Sequence, residues 1–185
     1  MIPTEDNYVD WVLRGIHDYY ARLGYSIFSY SIGQRREADL PFDRILRVGN
    51  KIVGFQFKRP RAENPPWRYV FTPHQHQLLF RYRWILYCLP RFTDWRLQNV
   101  ALYHAAFAPS HGVITTTDSI SGFSYRWGSL ADELRLCTQG TIVDEPFDIE
   151  EFIRPLQERT ADAILSINSD QGTLHAVSHT EGIPG

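Results

Sequence analysis

Lysine is nearly absent from this chain: Lys51 and Lys58 stand against seventeen arginines in 185 residues. Cysteine is equally scarce, with Cys88 and Cys137 far apart and outside any C-x-x-C spacing. This excludes a disulfide framework or a cysteine zinc site, and reads as a reduced, cytoplasmic protein. No run approaches the roughly 20 apolar residues of a membrane span, so no membrane partner is expected. The first residues, Met1 to Asp6, carry neither a basic flank nor an apolar stretch, and do not read as a secretory signal. No G-x-x-x-x-G-K-[ST] loop is present, so an ATP-driven function would need a partner chain. Ser110, His111 and Asp118 have no G-x-S-x-G context, which argues against a serine triad. His175 and His179 have a helical ligand spacing but lack the glutamate of H-E-x-x-H.

What is present suits one folded domain: 43% of residues are apolar and 14% aromatic. The formal net charge of −2 conceals a segregation. Residues 1–34 carry net −2, residues 35–96 net +8 and residues 97–185 net −8. A basic block inside a folded core is a candidate phosphate-binding surface. Arginine suits it, because its planar fork of donors matches phosphate oxygens. The expected organisation is a single domain over 1–158, with a core at 5–90, an acidic extension at 97–158 and a partly flexible tail at 159–185.

Apolar residues at helical spacing predict a helix over 5–23, capped by Thr4 and stopped by Gly24. Alternation predicts strands over 25–32, 42–48 and 51–58, the last two joined at Gly49-Asn50 by a two-residue hairpin turn. A Pro-rich basic loop, 59–71, leads to a helix opened by Thr72-Pro73 and running through Tyr82. Residues 84–90 read as a buried strand, 93–108 as a short helix or irregular segment, and 113–126 as β-like. A helix from Ser129 and a last helix opened by the capping box Asp148 to Glu151 follow. Residues 173–177 read as a weak edge strand. The order helix, three strands, helix, strand implies an α/β fold with a mixed central sheet flanked by helices.

The chemistry concentrates in two stretches, Glu37-Ala-Asp39-Leu-Pro-Phe-Asp43 and Gly54-Phe-Gln56-Phe-Lys58. Side chains alternate along a strand, so Gly54, Gln56 and Lys58 share one face and Val53, Phe55 and Phe57 the other. A tight turn at Gly49-Asn50 brings Asp43, at the start of one strand, near Lys58, at the end of the next. This pattern of an acid, a hairpin and then Q-x-K resembles the PD-(D/E)XK nucleases, the restriction-endonuclease-like superfamily, in its D…Q-x-K variant. The element order over 5–90 resembles that superfamily's common core. The resemblance implies a restriction-endonuclease-like fold and a Mg²⁺- or Mn²⁺-dependent nuclease hydrolysing DNA, with RNA as an alternative substrate. It implies a setting in bacterial or phage defence or DNA processing. Its catalytic positions fall on Asp43, Gln56 and Lys58, with Glu37 similar to an extra acid of some Q-x-K families. It also implies that the following helix lines the cleft, where Gln77 is the preferred contributor and His74 the next.

The chemistry is physically coherent. Phosphodiester hydrolysis needs a nucleophilic water and neutralised charge on the phosphate, both of which a divalent cation supplies. Asp43, the Gln56 carbonyl and the Phe57 backbone carbonyl offer hard oxygen ligands. Glutamine in place of glutamate removes one negative charge, so metal binding is expected to be weak unless Glu37 or Asp39 also reaches the ion. Lys58 would bind the scissile phosphate or polarise the attacking water. Its retention as lysine in an arginine-using chain suggests that position 58 needs an amine. Arg35, Arg36, Arg59, Arg61 and Arg68, with His74, form the expected nucleic-acid contacts, and Trp67 and Tyr69 are placed to stack on bases. Glu5, Asp10 and Asp18 read as capping or solvated acids. The main alternative is a catalytically inactive module of the same fold that binds nucleic acid or a partner protein. The acidic C-terminal half would then serve a partner or a homodimer. Under that alternative, Asp43→Ala is expected to leave biological activity unchanged and charge reversal at Arg59 and Arg61 to destroy it; a steep loss of DNA affinity with salt in a fluorescence titration would support phosphate contacts, and salt-insensitive binding would count against them.

Overall fold

The computed structural model describes residues 1–31, 40, 42–109, 124–136, 139–143 and 146–158. The chain divides into two compact units, Met1–Glu145 and Pro146–Gly185. In the first, helix α1 (Glu5–Arg22) is followed by strands β1 (Ile27–Ser31), β2 (Arg44–Val48) and β3 (Lys51–Phe57). Helix α2 (Pro73–Leu79) crosses to β4 (Ile85–Pro90). A 3₁₀ segment (Trp95–His104), β5 (Ala105–Pro109), helix α3 (Trp127–Arg135) and β6 (Thr141–Ile142) complete it. The second unit carries a helix over 149–158, whose first turn is capped by Asp148 Oδ1 accepting from the Glu150 and Glu151 N–H groups.

The expected α/β fold with a mixed sheet is present: six strands in the order β1-β2-β3-β4-β5, with β6 also on β3. All neighbours pair antiparallel except β3 and β4, which run parallel across the α2 crossover. Val48 pairs with Lys51 around Gly49-Asn50, and Gly49 adopts a φ of 59°, as a two-residue hairpin turn requires. Thr4 and Asn7 form a reciprocal capping box on α1.

Alternation splits β3 as expected. Val53, Phe55 and Phe57 join Leu46, Leu86, Cys88 and Phe107 in a core with the apolar side of α1 and with α3. Gly54 and Gln56 face the other way. A Cβ at Gly54 would lie 2.9 Å from both the Trp84 ring and Ile85 Cγ1, so only glycine fits under that ring.

Four expectations are corrected. Residues 93–108 are not simply helical or irregular: the run Ala-Ala-Phe-Ala-Pro is a buried strand beside β4. Its alanines have little β-propensity, and burial on both faces overrides that preference. Helix α2 stops at Leu79 rather than Tyr82, and α3 begins at Trp127 rather than Ser129. Tyr69 is no stacking platform, being buried with its hydroxyl donating to the Pro90 carbonyl at 2.7 Å. Of the β-like stretch 113–126, Tyr125 bridges to Phe107. Residues 110–123 (Ser110, His111 and Asp118 included), Cys137 and residues 159–185 with His175 and His179 lie outside the described residues. Among the described residues no helix is long and apolar enough to cross a membrane. The Gly54→Ala substitution is expected to destabilise the fold by about 1–3 kcal/mol through overpacking, read as a lower urea midpoint at unchanged slope.

Candidate active site at the open end of the hairpin

The register of the hairpin builds the site. Arg44 pairs with Phe55, and the Asp43 N–H donates to the Phe55 carbonyl at 2.9 Å, so Asp43 stands across from Gln56. The Asp43 carboxylate then takes over the ladder: Oδ2 accepts the Phe57 N–H at 2.7 Å. Gln56 Nε2 donates to Asp43 Oδ1 at 3.0 Å and Oδ2 at 2.8 Å, and lies 3.2 Å from the Phe57 carbonyl oxygen. Three oxygens thus converge on one point, filled by the amide nitrogen of a residue that is only 2% exposed. One position further on, the Lys58 N–H turns to the Cys88 carbonyl of β4 at 3.1 Å, while Nζ donates to Gln75 Oε1 at 2.8 Å. Gln75 Nε2 donates in turn to Gln56 Oε1 at 2.9 Å.

Burial pushes the Asp43 carboxyl up to about 6; Glu5 adds to the rise, while the Phe57 N–H, Lys58 and Gln56 oppose it. Burial also raises Glu5, against the attraction of Lys58 and the Arg59 N–H, which donates to Glu5 Oε2 at 3.2 Å. On α2, burial lowers the His76 imidazole, whose Nδ1 lies 3.1 Å from the Tyr87 hydroxyl. Lys58 opens onto a shallow cleft of about 370 Å³, lined also by Glu5, Arg59, Arg61, Val70 and Thr72. A second cleft of about 410 Å³ shares Arg61 and Val70 and extends to Arg68. The cavity beside Tyr20 and Lys51, about 270 Å³, lies at the turn end of the hairpin and touches none of these acids.

Asp43, Gln56, the Phe57 carbonyl and Lys58 are therefore brought together, and Arg59, Arg61 and Arg68 line adjoining clefts. Gln77 is not brought in: it is exposed, and Gln75 occupies the place expected for it. Residues two apart on a helix point to different sides. Gln75 lies three and four residues before the buried Leu78 and Leu79, and that spacing marks it as the sheet-facing glutamine. Glu5 also enters the site, though nothing in the spacing of the chain ties it to Lys58. Glu37, Asp39, Arg35, Arg36 and the His74 side chain lie outside the described residues. Among the described residues, no three His, Cys, Asp or Glu side chains gather to hold a metal. The oxygens around the Gln56 amide nitrogen are instead the two of one carboxylate and one backbone carbonyl, a hard but weakly charged donor set. The chain matches no protein-family model, no curated protein sequence and no solved structure.

The Asp43 shift has a definite sign in the metal-free protein. A folded-state value raised from 3.8 to about 6 favours the fold below pH 4, and that advantage is lost as pH rises through 6. Stability of the native protein relative to Asp43→Asn, measured by urea unfolding in EDTA, should therefore fall by up to about 3 kcal/mol between pH 4 and pH 8. A relative gain on raising the pH would show that hydrogen bonds to the carboxylate outweigh its desolvation.

Proposed function

We propose that this chain is a metal-dependent nuclease of restriction-endonuclease-like fold that hydrolyses phosphodiester bonds in DNA. The convergence of Asp43, Gln56 and the Phe57 carbonyl at the hairpin end, with the Lys58 ammonium beside them, carries the reading. The helix, antiparallel hairpin, crossover helix and parallel strand around it support the fold assignment.

Asp43, Gln56 Oε1 and the Phe57 carbonyl would hold Mg²⁺ or Mn²⁺. Bound there, the ion supplies charge neutralisation and a more acidic water. Lys58 presents its ammonium to a non-bridging phosphate oxygen, or to the water that attacks. Arg59 and Arg61 bind flanking phosphates through the cleft they share with Lys58. Glu5 stands across that cleft as a second carboxylate, able to orient water near Lys58. With one carboxylate among the three oxygen ligands, cation affinity is low and activity depends on millimolar metal.

A specific observation favours a second reading, a non-catalytic module that binds nucleic acid or a partner protein. The Gln56 amide and the Phe57 N–H together satisfy the Asp43 carboxylate, so the site is complete in hydrogen bonds without a cation.

Plasmid and single-stranded DNA incubated in Mg²⁺, Mn²⁺ or EDTA separate the two. Cleavage should appear with either cation, stop in EDTA and fall roughly 100-fold or more in Lys58→Ala. Cleavage undiminished in EDTA overturns the metal role. Retained DNA binding with no cleavage in any condition establishes the inactive module.

A further inference from the structure

Four side chains stand in single file between β2, β3 and α2. Lys58 Nζ donates to Gln75 Oε1, Gln75 Nε2 to Gln56 Oε1, and Gln56 Nε2 to the Asp43 carboxylate. The two ends set the direction. An ammonium has only donors and an ionised carboxylate only acceptors. Both carboxamides must therefore turn oxygen toward Lys58 and nitrogen toward Asp43. A carboxamide offers oxygen on one side and nitrogen on the other, so the file has one polarity at a time.

We propose that Gln75 is a positioning residue: through the polarity of this file, a cation taken up beside Asp43 releases Lys58 from Gln75. The inference rests on the nuclease reading of the site. Gln56 can ligate a cation only through Oε1. Its nitrogen then faces Gln75, which must meet it with its own oxygen. The Gln75 nitrogen now faces the Lys58 ammonium, donor against donor. Lys58 loses its acceptor and remains beside the cleft that it already lines with Arg59 and Arg61, where a phosphate oxygen can accept from it. The reversal cannot stop at Gln56, which is buried: an unmatched amide there is costly. In the cation-free protein the same ammonium is held back on Gln75. Metal loading and lysine availability are thereby coupled through two neutral side chains.

Lys51 and Lys58 are the only lysines, so protein carrying ¹³C,¹⁵N-lysine gives two sets of side-chain NMR signals. Lys51, held on the Leu134 and Arg135 carbonyls, is the internal reference. Mg²⁺ is titrated while the Lys58 ε-methylene and the Gln56 side-chain amide are followed. Both should shift with one midpoint while Lys51 stays fixed. In Gln75→Leu, the metal-free Lys58 signal should begin near its Mg²⁺-loaded position in the native protein and move less than a third as far. In Gln75→Glu, whose carboxylate accepts from both sides, Gln56 should respond and Lys58 should not. A Lys58 signal that ignores Mg²⁺ while Gln56 responds, or that responds equally in Gln75→Leu, overturns the coupling and leaves the nuclease reading standing. A Gln56 amide indifferent to Mg²⁺ overturns both. Backbone amide spectra confirm that each variant is folded.

Discussion

The hydrogen bond from the Phe57 N–H to the Asp43 carboxylate organises this protein's chemistry. It continues the β2–β3 ladder for one more step, with a side-chain oxygen where a backbone carbonyl would otherwise stand. That substitution draws a carboxylate into the end of a sheet and obliges its surroundings to answer it. Gln56 does so with its amide, while the Lys58 N–H continues the opposite edge of β3 onto the Cys88 carbonyl of β4. β3 lies between the two strands, antiparallel to β2 on one edge and parallel to β4 on the other, and the site stands at its carboxyl end.

Two helices finish the site from different layers. The helix α1 packs its apolar side with Phe55 and Phe57 and contributes Glu5 from its first turn. The helix α2 meets the Gln56 face of the sheet and contributes Gln75. The carboxylates, the amides and the single ammonium thus come from both sides of one strand end. The basic loop that follows is held in place at several points: the Arg61 N–H donates to the Arg68 carbonyl, the Thr93 hydroxyl to the Glu63 carbonyl, and the Tyr69 hydroxyl to the Pro90 carbonyl. Its arginines are therefore displayed from a braced loop next to Lys58.

The parts of this arrangement that were legible in the sequence are those set by local rules. A period of two assigned Gln56 to the face away from Phe55 and Phe57, and a glycine-bearing turn set the register that brings Asp43 across from it. What escaped depends on distance in the chain. Glu5 reads as an ordinary first-turn acid until α1 is docked, because no spacing rule reaches from residue 5 to residue 58. Choosing between Gln75 and Gln77 required the buried face of a seven-residue helix, too short for its periodicity to speak clearly. The strand Ala105–Pro109 is invisible to propensity, since three of its five residues are alanine and only their burial overrides that preference.

The sequence separations within the site differ widely, and this bears on the order in which it assembles. Asp43 and Gln56 are 13 residues apart and joined by a tight turn, and Gln75 is 19 from Gln56. Glu5 meets Arg59 across 54 residues. Loop closure costs grow with the length of chain enclosed, so contacts near in sequence form at the least entropic expense. The hairpin can therefore seat Asp43 on Phe57 while the nascent chain is still short of β4, and α1 brings Glu5 only when the core beneath it closes. The acid and amide of the site are thus the pair that local contacts favour, whereas the Glu5 wall of the cleft beside Lys58 depends on long-range closure.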